Sequence, residues 1–194
     1  MKILFLGSDN GPQREIVLFL DKQGYEVCIQ ECKLDTLAIT QKKYYFLISF
    51  GYRHIINKDI LKYFDGRAIN FHISYLPWNR GADPNLWSIL ENTPKGVTIH
   101  QIDEGLDTGN IFCQKEVMFN KNDTLESSYN KLNAEIVELF KVNWTNIRLK
   151  KLIAKKQAGK GSYHKSADKK DHMHLLKRGW KTKIHELIGK AENV

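Results

Sequence analysis

The segment Asn70-Phe71-His72 combines two side chains that could act together on a reacting group. Alternate residues of a strand point to the same face, so Asn70 and His72 would share one side of it. An amide beside an imidazole can stabilise the oxyanion formed during acyl transfer to an amine and can manage its protons. Taken alone, the pair favours the simpler interpretation of a hydrogen-bonded histidine at the end of a strand.

A carboxylate further along the chain changes that balance. Asp107 lies in the glycine-bounded loop 103–109, where it could orient His72 or accept a proton from an amine. Asp103, Glu104 and Asp107 could instead form a solvated acidic turn or bind a cation weakly. Their spacing does not match an EF-hand calcium loop, and we predict no metal site.

The elements that must position these residues can be read from the apolar pattern. Strands are predicted at Lys2–Leu6, Tyr25–Gln30, Tyr44–Phe50 and Ala68–Phe71, with helices at Pro12–Lys22 and after an Asn57 cap. Strands that alternate with helices in this way predict an α/β fold with an open, mostly parallel Rossmann-like sheet and helices on both faces. Ligands of such sheets bind beyond the carboxyl ends of the strands, which points to Gly7–Gly11, Gly51–Ile56 and Asn70–Arg80.

The second half predicts a helix at Asn85–Glu91, a hairpin of Gly96–Ile102 with Ile111–Val117, and a long helix capped by Asp123. We predict that a catalytic domain spans residues 1–153. Residues 154–194 then form a short basic extension, which should pack on the body because residues 175–188 still carry apolar side chains.

Composition limits the class of protein. The chain has 194 residues, 42% of them hydrophobic, which argues against wholesale disorder. The apolar start is too short for a signal peptide, and no run approaches the roughly 18 apolar residues of a membrane span, so a cytoplasmic location without membrane contact is expected. Cys28, Cys32 and Cys113 form no Cys-x-x-Cys pair and are expected to be reduced packing residues.

The net charge of +8 is concentrated at one end of the chain. Residues 141–194 hold 15 Lys and Arg against 4 Asp and Glu, whereas the first 140 residues hold 15 against 18. This asymmetry favours an anionic partner such as a phosphorylated substrate or nucleic acid, although lysines that solvate a surface are the commoner explanation.

Two longer segments resemble a known family. Asn70–Gly81 and Gly96–Gly109 are similar to the two signature segments of the folate-dependent formyltransferases, in the same order and with their reactive positions about 35 residues apart. The resemblance covers residues 1–150. It implies N10-formyltetrahydrofolate as formyl donor, with Asn70, His72 and Asp107 as catalytic residues. Asn70 and protonated His72 would stabilise the oxyanion, and Asp107 would help to move the proton from nitrogen, without a metal.

The resemblance also implies a position for the folate. The pterin would lie between two loops whose backbone recognises it: Arg53, His54, Ile55 and Ile56 on one side, and Ile102, Asp103, Glu104 and Gly105 on the other. His54 is equally consistent with an ordinary exposed loop residue.

The acceptor amine differs between members of this family. Ser74–Asn85 is most similar to the bacterial sugar N-formyltransferases, which implies a nucleotide-linked amino sugar used in surface glycan biosynthesis, including lipopolysaccharide. The candidate acceptor-binding residues are Ser8, Asn10, Tyr75 and Arg80, with loop stabilisation as the alternative role of Arg80.

Other acceptors remain open, among them a peptide amine, methionyl-tRNA or a purine precursor. The tRNA enzymes have a C-terminal barrel and a longer insertion where this sequence has residues 31–43. The purine enzymes bind phosphate after the first strand, where Asp9 would repel it. Nucleic acid is therefore not the expected partner, while a homodimer is compatible with apolar residues in 173–188. A noncatalytic folate- or nucleotide-binding domain is a further alternative.

Overall fold

A computed structural model describes residues 1–193 and shows a six-stranded sheet covered by helices. Its strands are β1 (Lys2–Leu6), β2 (Glu26–Gln30), β3 (Phe46–Ser49), β4 (Ala68–His72), β6 (Gly96–Gln101) and β7 (Ile111–Glu116), in the order β2-β1-β3-β4-β6-β7. The first four strands are parallel, and β6 and β7 are antiparallel to their neighbours. The chain reverses direction across the sheet between β1 and β3, which is where such folds bind ligands.

Helices cover both faces of this sheet. They are α1 (Gly11–Lys22), α2 (Thr36–Gln41), α3 (Lys58–Phe64), α4 (Pro84–Leu90) and α5 (Leu125–Arg148). Ile3 and Phe5 of β1 belong to a core with α1 and α5, whereas Leu4 and Leu6 belong to a second core with α2 and α3. This alternation follows from the two-residue period of a strand. The predicted α/β architecture is confirmed.

The predicted helix bounds differ from the structure by one residue at the start of α1, at both ends of α4 and at the start of α5. The prediction of Asp123 as the cap was wrong, because Thr124 has the extended backbone of an N-cap and its hydroxyl accepts a hydrogen bond from the Ser127 amide. Ser127 Oγ in turn accepts one from the Thr124 amide, which completes a capping box. Asp123 supports this box, since its carboxylate accepts a hydrogen bond from Ser127 Oγ at 2.9 Å.

Residues 154–193 lie against the body of the protein. The short strand β8 (Tyr163–His164) pairs in parallel with β5 (Arg80–Gly81), the next strand along the chain after β4. Gly81 has a φ of 86°, and a side chain there would clash with the carbonyl of His164, so this close pairing requires glycine. The ring of His164 also stacks on Trp87 of α4, with centroids 3.9 Å apart.

Apolar residues of the extension complete a third core cluster. Leu176, Ile184 and Leu187 are buried against Leu86 and Ile89 of α4. The division at residue 153 stays a prediction, because the extension shares both a strand pair and this cluster with the body. Val194, the last residue of the predicted extension, lies outside the described residues.

Candidate active site

The predicted catalytic residues sit where β4 ends. Asn70 and His72 occupy alternate positions of β4, and antiparallel pairing places Asn70 opposite His100 of β6. Asp107 follows in the loop between β6 and β7. This loop turns back tightly against β6 because Gly109 has no side chain; a Cβ there would clash with the carbonyl of Gln101.

The structure brings the three predicted side chains into contact. Asn70 Nδ2 donates a hydrogen bond to Asp107 Oδ1 at 3.1 Å, and His72 Nδ1 lies 3.5 Å from Asp107 Oδ2. The other ring nitrogen, His72 Nε2, donates to the backbone carbonyl of Asn79 at 2.8 Å. His72 is only 6% exposed, so water cannot replace these partners freely.

The partners of His72 engage both of its ring nitrogens. A carbonyl oxygen only accepts, so Nε2 is the donor to Asn79, while Nδ1 faces the Asp107 carboxylate. The ring of His72 is therefore held in a fixed orientation beside Asp107.

His100 belongs to the same cluster, although our sequence interpretation did not select it. Its Nε2 lies 3.3 Å from both Asp107 Oδ1 and Asn70 Nδ2, and its Nδ1 donates to the Gln101 carbonyl at 2.7 Å. Its place beside Asn70 follows from the antiparallel pairing of β6 with β4, which the sequence pattern did not specify.

Asp107 stays ionised in this setting. Burial by itself would raise the pKa of its carboxyl, but His72, His100 and a hydrogen bond from the Gly81 amide together outweigh burial. The pKa of Asp107 therefore lies well below its ordinary value. The Gly81 amide donates to Oδ2 at 2.8 Å, so the carboxylate also joins the loop after β4 to the loop after β6. A fixed negative charge can hold a nearby imidazolium and attract a developing ammonium group.

The cluster opens into a cavity of about 910 Å³, within the range of ligand sites. The predicted folate-binding residues Arg53, His54, Ile55, Ile56, Ile102, Asp103, Glu104 and Gly105 all line it. An ion pair of 2.9 Å joins Lys58, at the start of α3, to Glu104 of the second loop. Asp103 shapes the second loop, because its Oδ1 accepts hydrogen bonds from the Gly105 amide and the Thr108 hydroxyl.

The predicted acceptor residues do not gather at this cavity. Ser8 Oγ and Asn10 Oδ1 contact each other at 3.1 Å and lie outside its lining, as does Tyr75, whose ring packs against Gly96. Arg80 donates through Nε and Nη2 to Gln157 Oε1, which fits its alternative role in stabilising a loop. As acceptor contacts, these four residues stay predictions.

Residues of the extension line the cavity instead. Tyr163, His164, Lys165, Ser166 and Lys169 form its wall beside Gly81. The sequence showed this region as basic but offered no motif, so no single residue in it could be selected.

Other predicted properties can be placed on the described residues. Within residues 1–193, no group of three or more His, Cys, Asp or Glu side chains is arranged to hold a metal ion. None of the helices in that range is long and apolar enough to cross a membrane. Cys28, Cys32 and Cys113 are free thiols, and Cys32 is exposed.

These features define an α/β protein with an Asn, His and Asp cluster at the floor of a large cavity beside the switch point of its sheet. Residues 33–141, more than half of the chain, match the family model described as formyl transferase. The chain belongs to the formyl transferase family, which confirms the resemblance of the two signature segments.

Known relatives give finer comparisons. The chain is similar to the crystal structure of the formyltransferase PseJ from Anoxybacillus kamchatkensis, in complex with UDP-4,6-dideoxy-4-formamido-L-AltNAc and tetrahydrofolate. The TM-score is 0.93 and the identity 50%, over 98% of this chain and all of that one. It is also 37% identical to the methionyl-tRNA formyltransferase of Thermodesulfovibrio yellowstonii, over 65% of this chain and 41% of the relative.

A third relative is the dTDP-4-amino-4,6-dideoxyglucose formyltransferase of Mycobacterium bovis. It is 35% identical over 53% of this chain and 44% of its own length. The chain thus spans less than half the length of the two curated relatives.

Proposed function

We propose that the protein transfers a formyl group from N10-formyltetrahydrofolate to the primary amine of a nucleotide-linked amino sugar. One observation supports this most strongly. The cavity lined by the two loops opens onto the contacting side chains of Asn70, His72 and Asp107. These side chains belong to a chain that is 50% identical, along nearly its whole length, to a formyltransferase crystallised with tetrahydrofolate and a UDP-linked formamido sugar. The product would serve surface glycan biosynthesis, including that of lipopolysaccharide.

The cavity suits a folate at the side of the two loops. Arg53–Ile56 and Ile102–Gly105 both line the cavity, and the Lys58–Glu104 ion pair links the start of α3 to the second of these loops. Four consecutive residues on each side offer backbone donors and acceptors, which a pterin ring needs along its edge. The formyl group would then lie over the floor that Asn70, His72 and Asp107 provide.

The arrangement of the side chains indicates how they would act. Asn70 Nδ2 and the His72 ring would stabilise the negative charge that develops on the formyl oxygen when the amine attacks, each by exchanging a present contact for that oxygen. A general base works best when its pKa is near the working pH, and the pKa of Asp107 is far below that. Asp107 would therefore act mainly by orienting His72 and by stabilising the positive charge on the attacking nitrogen. The adduct would then collapse by breaking the bond between the formyl carbon and N10, and N10 of the departing tetrahydrofolate would take up the proton that the amine loses.

The test is a transfer assay on the purified protein. N10-formyltetrahydrofolate is mixed separately with UDP- and dTDP-linked amino sugars, methionyl-tRNA and a peptide amine, and tetrahydrofolate release is followed by absorbance and the products by mass. We expect turnover with an amino sugar nucleotide. Turnover with methionyl-tRNA alone would contradict the proposed acceptor, and folate binding without transfer to any amine would leave a noncatalytic binding domain.

Formylation of methionyl-tRNA is the second candidate. It is supported by the 37% identity to the Thermodesulfovibrio enzyme and by the excess of 15 Lys and Arg over 4 Asp and Glu in residues 141–194. The 50% identity over nearly the whole chain to a formyltransferase crystallised with a UDP-linked formamido sugar favours the sugar nucleotide. The cytoplasmic location and a homodimer remain predictions.

A further inference from the structure

The carbonyl that accepts the hydrogen bond from His72 belongs to Asn79, whose backbone is constrained. Asn79 is completely buried and has a φ of 57°. Few residues other than glycine adopt this left-handed conformation, and asparagine is one of them. His72 Nε2 lies 2.8 Å from the Asn79 oxygen, so the orientation of this one peptide group decides where the imidazole ring can donate.

Hydroxyl groups engage both polar atoms of the Asn79 side chain. Nδ2 donates to Thr93 Oγ1 at 2.8 Å, and Oδ1 lies 3.1 Å from Ser162 Oγ. The backbone amide of Asn79 also donates to Ser162 Oγ, at 3.0 Å. Because a buried polar group is costly to leave unpaired, these contacts hold Asn79 in one conformation, and its carbonyl with it.

The Ser162 hydroxyl also reaches the end of α4. It lies 3.1 Å from Glu91 Oε2, and its single hydrogen can be donated either to this oxygen or to Asn79 Oδ1. The other carboxylate oxygen, Glu91 Oε1, is 3.1 Å from His164 Nε2. Ser162 therefore joins the extension to α4 and to the loop after β4 at one point.

The chain packs closely where Ser162 meets this loop. Gly161 has a φ of 63°, and a Cβ there would lie 2.1 Å from the carbonyl oxygen of Pro77. The Ser162 amide donates to that Pro77 carbonyl at 3.3 Å, and the Arg80 amide donates to the Ser162 carbonyl at 3.0 Å. The backbone of Ser162 is thus fixed on the loop, which gives its hydroxyl a defined position.

We propose that Asn79 is a positioning residue for His72, and that Thr93 and Ser162 of the extension hold it in place. By fixing the Asn79 carbonyl, they keep a hydrogen on His72 Nε2 and the ring beside Asp107. This inference rests on the proposed function, because it gives the extension a part in the same transfer reaction. Asn79, Thr93 and Ser162 lie outside the lining of the cavity, so their effect on the reaction passes through His72.

The experiment removes the two hydroxyl groups that hold Asn79. Asn79→Ala would also strain the backbone at its φ of 57°, so Ser162→Ala and Thr93→Val are used instead. Thr93→Ser keeps the hydroxyl group. Thr40→Val, on the exposed surface of α2, is the matched control. Melting temperatures show that each variant is folded.

Two measurements follow the reaction and the imidazole separately. Steady-state kinetics give kcat and the KM values for N10-formyltetrahydrofolate and for the amino sugar nucleotide. NMR of chains labelled with a nitrogen isotope in their histidine rings shows which nitrogen of His72 carries a hydrogen and how fast that hydrogen exchanges with water. The His72 signals are assigned by their loss in His72→Gln.

We expect Ser162→Ala and Thr93→Val each to lower kcat about tenfold or more, because a small displacement of a reacting group has a large effect on turnover. Both KM values should stay within about twofold, since neither hydroxyl lines the cavity. The Nε2 hydrogen of His72 should exchange about tenfold faster, because its acceptor is held less firmly. Thr93→Ser and Thr40→Val should match the unchanged chain in every measurement.

The failure of this inference can be told apart from failure of the proposed function. A normal kcat in Ser162→Ala and Thr93→Val would overturn the inference. A lowered kcat with an unchanged Nε2 hydrogen would overturn it too, because the effect would then not pass through His72. A chain that formylates no amine, but whose Nε2 hydrogen depends on Ser162 and Thr93, would reject the proposed function and support the positioning contacts.

Discussion

The side chain of Gln157 joins the extension to the loop after β4 and to the loop after β6. Its Nε2 donates to the backbone carbonyls of Asp107 and Gly109 at 2.7 and 2.9 Å, and its Oε1 accepts from Arg80 Nε and Nη2 at 3.0 and 2.7 Å. Gln157→Leu keeps a side chain of similar size but removes all four hydrogen bonds. The two carbonyls and the guanidinium group would then lack a protein partner in a half-buried place.

The cost can be worked from these contacts. Each neutral hydrogen bond contributes about 0.5–1.5 kcal/mol, and those to a charged group contribute more. Allowing for partial replacement by water, we expect the free energy of unfolding to fall by about 2–4 kcal/mol. For a chain of this length, that corresponds to a melting temperature lower by roughly 5–15 °C.

Catalysis should suffer as well, because Gln157 holds the backbone on which the Asp107 carboxylate is mounted. A displacement of about 1 Å can reduce turnover by about 10², so we expect kcat to fall at least about tenfold. The assay combines thermal denaturation with steady-state kinetics. Gln41→Leu, on the exposed surface of α2, is the matched control. If Gln157→Leu melts and turns over like Gln41→Leu, Gln157 does not position this loop.

Further predictions concern single groups. His72→Ala and Asp107→Ala should each lower kcat by about 10² or more in proteins that still fold; near-normal kcat in either would reject its assigned role. Because folding lowers the pKa of Asp107, its charge adds stability above the unfolded value of 3.8, and that stability is lost as the pH falls below it. Asp107→Asn should therefore flatten the pH dependence of unfolding between about pH 2 and 4, measured by denaturant titration; an unchanged slope would contradict this. Burial raises the pKa of Cys113 to about 12, so at pH 8 only about one thiol in ten thousand is ionised. In an alkylation experiment followed by peptide mass analysis, exposed Cys32 should be labelled before Cys113; equal labelling of Cys32 and Cys113 would refute the burial argument. Activity should survive treatment with a chelator. Loss of activity on chelation that added zinc restores would overturn the metal-free mechanism.

Most of the sheet and its helices could be predicted because their signals are local, although α2 was not predicted. The continuous apolar run in Lys2–Leu6 is typical of a strand buried on both faces, and the three- and four-residue spacing in Leu125–Phe140 shows which face of the helix is buried. The cap of α5 was missed by one residue because Asp123 and Thr124 are both good cap residues. Only the backbone conformation at Thr124 decides between them.

The rest of the site depends on contacts between distant parts of the chain. The pairing of β5 with β8 joins residues more than 80 positions apart, and strands of two residues show no periodicity. The contribution of Lys165 and Lys169 to the cavity wall depends on that pairing. The cluster of His100 with Asn70 likewise requires the antiparallel register of β4 and β6, which no short motif encodes.

The pairing of β5 with β8 also sets an order of maturation. Ribosomes deliver a chain from its N-terminus, so the walls formed by Arg53–Ile56 and Ile102–Asp107 emerge well before Tyr163–Lys169. A nascent chain can assemble the sheet and those two loops while Tyr163–Lys169 are still being translated. The lining of the cavity is thus completed last by residues of the extension.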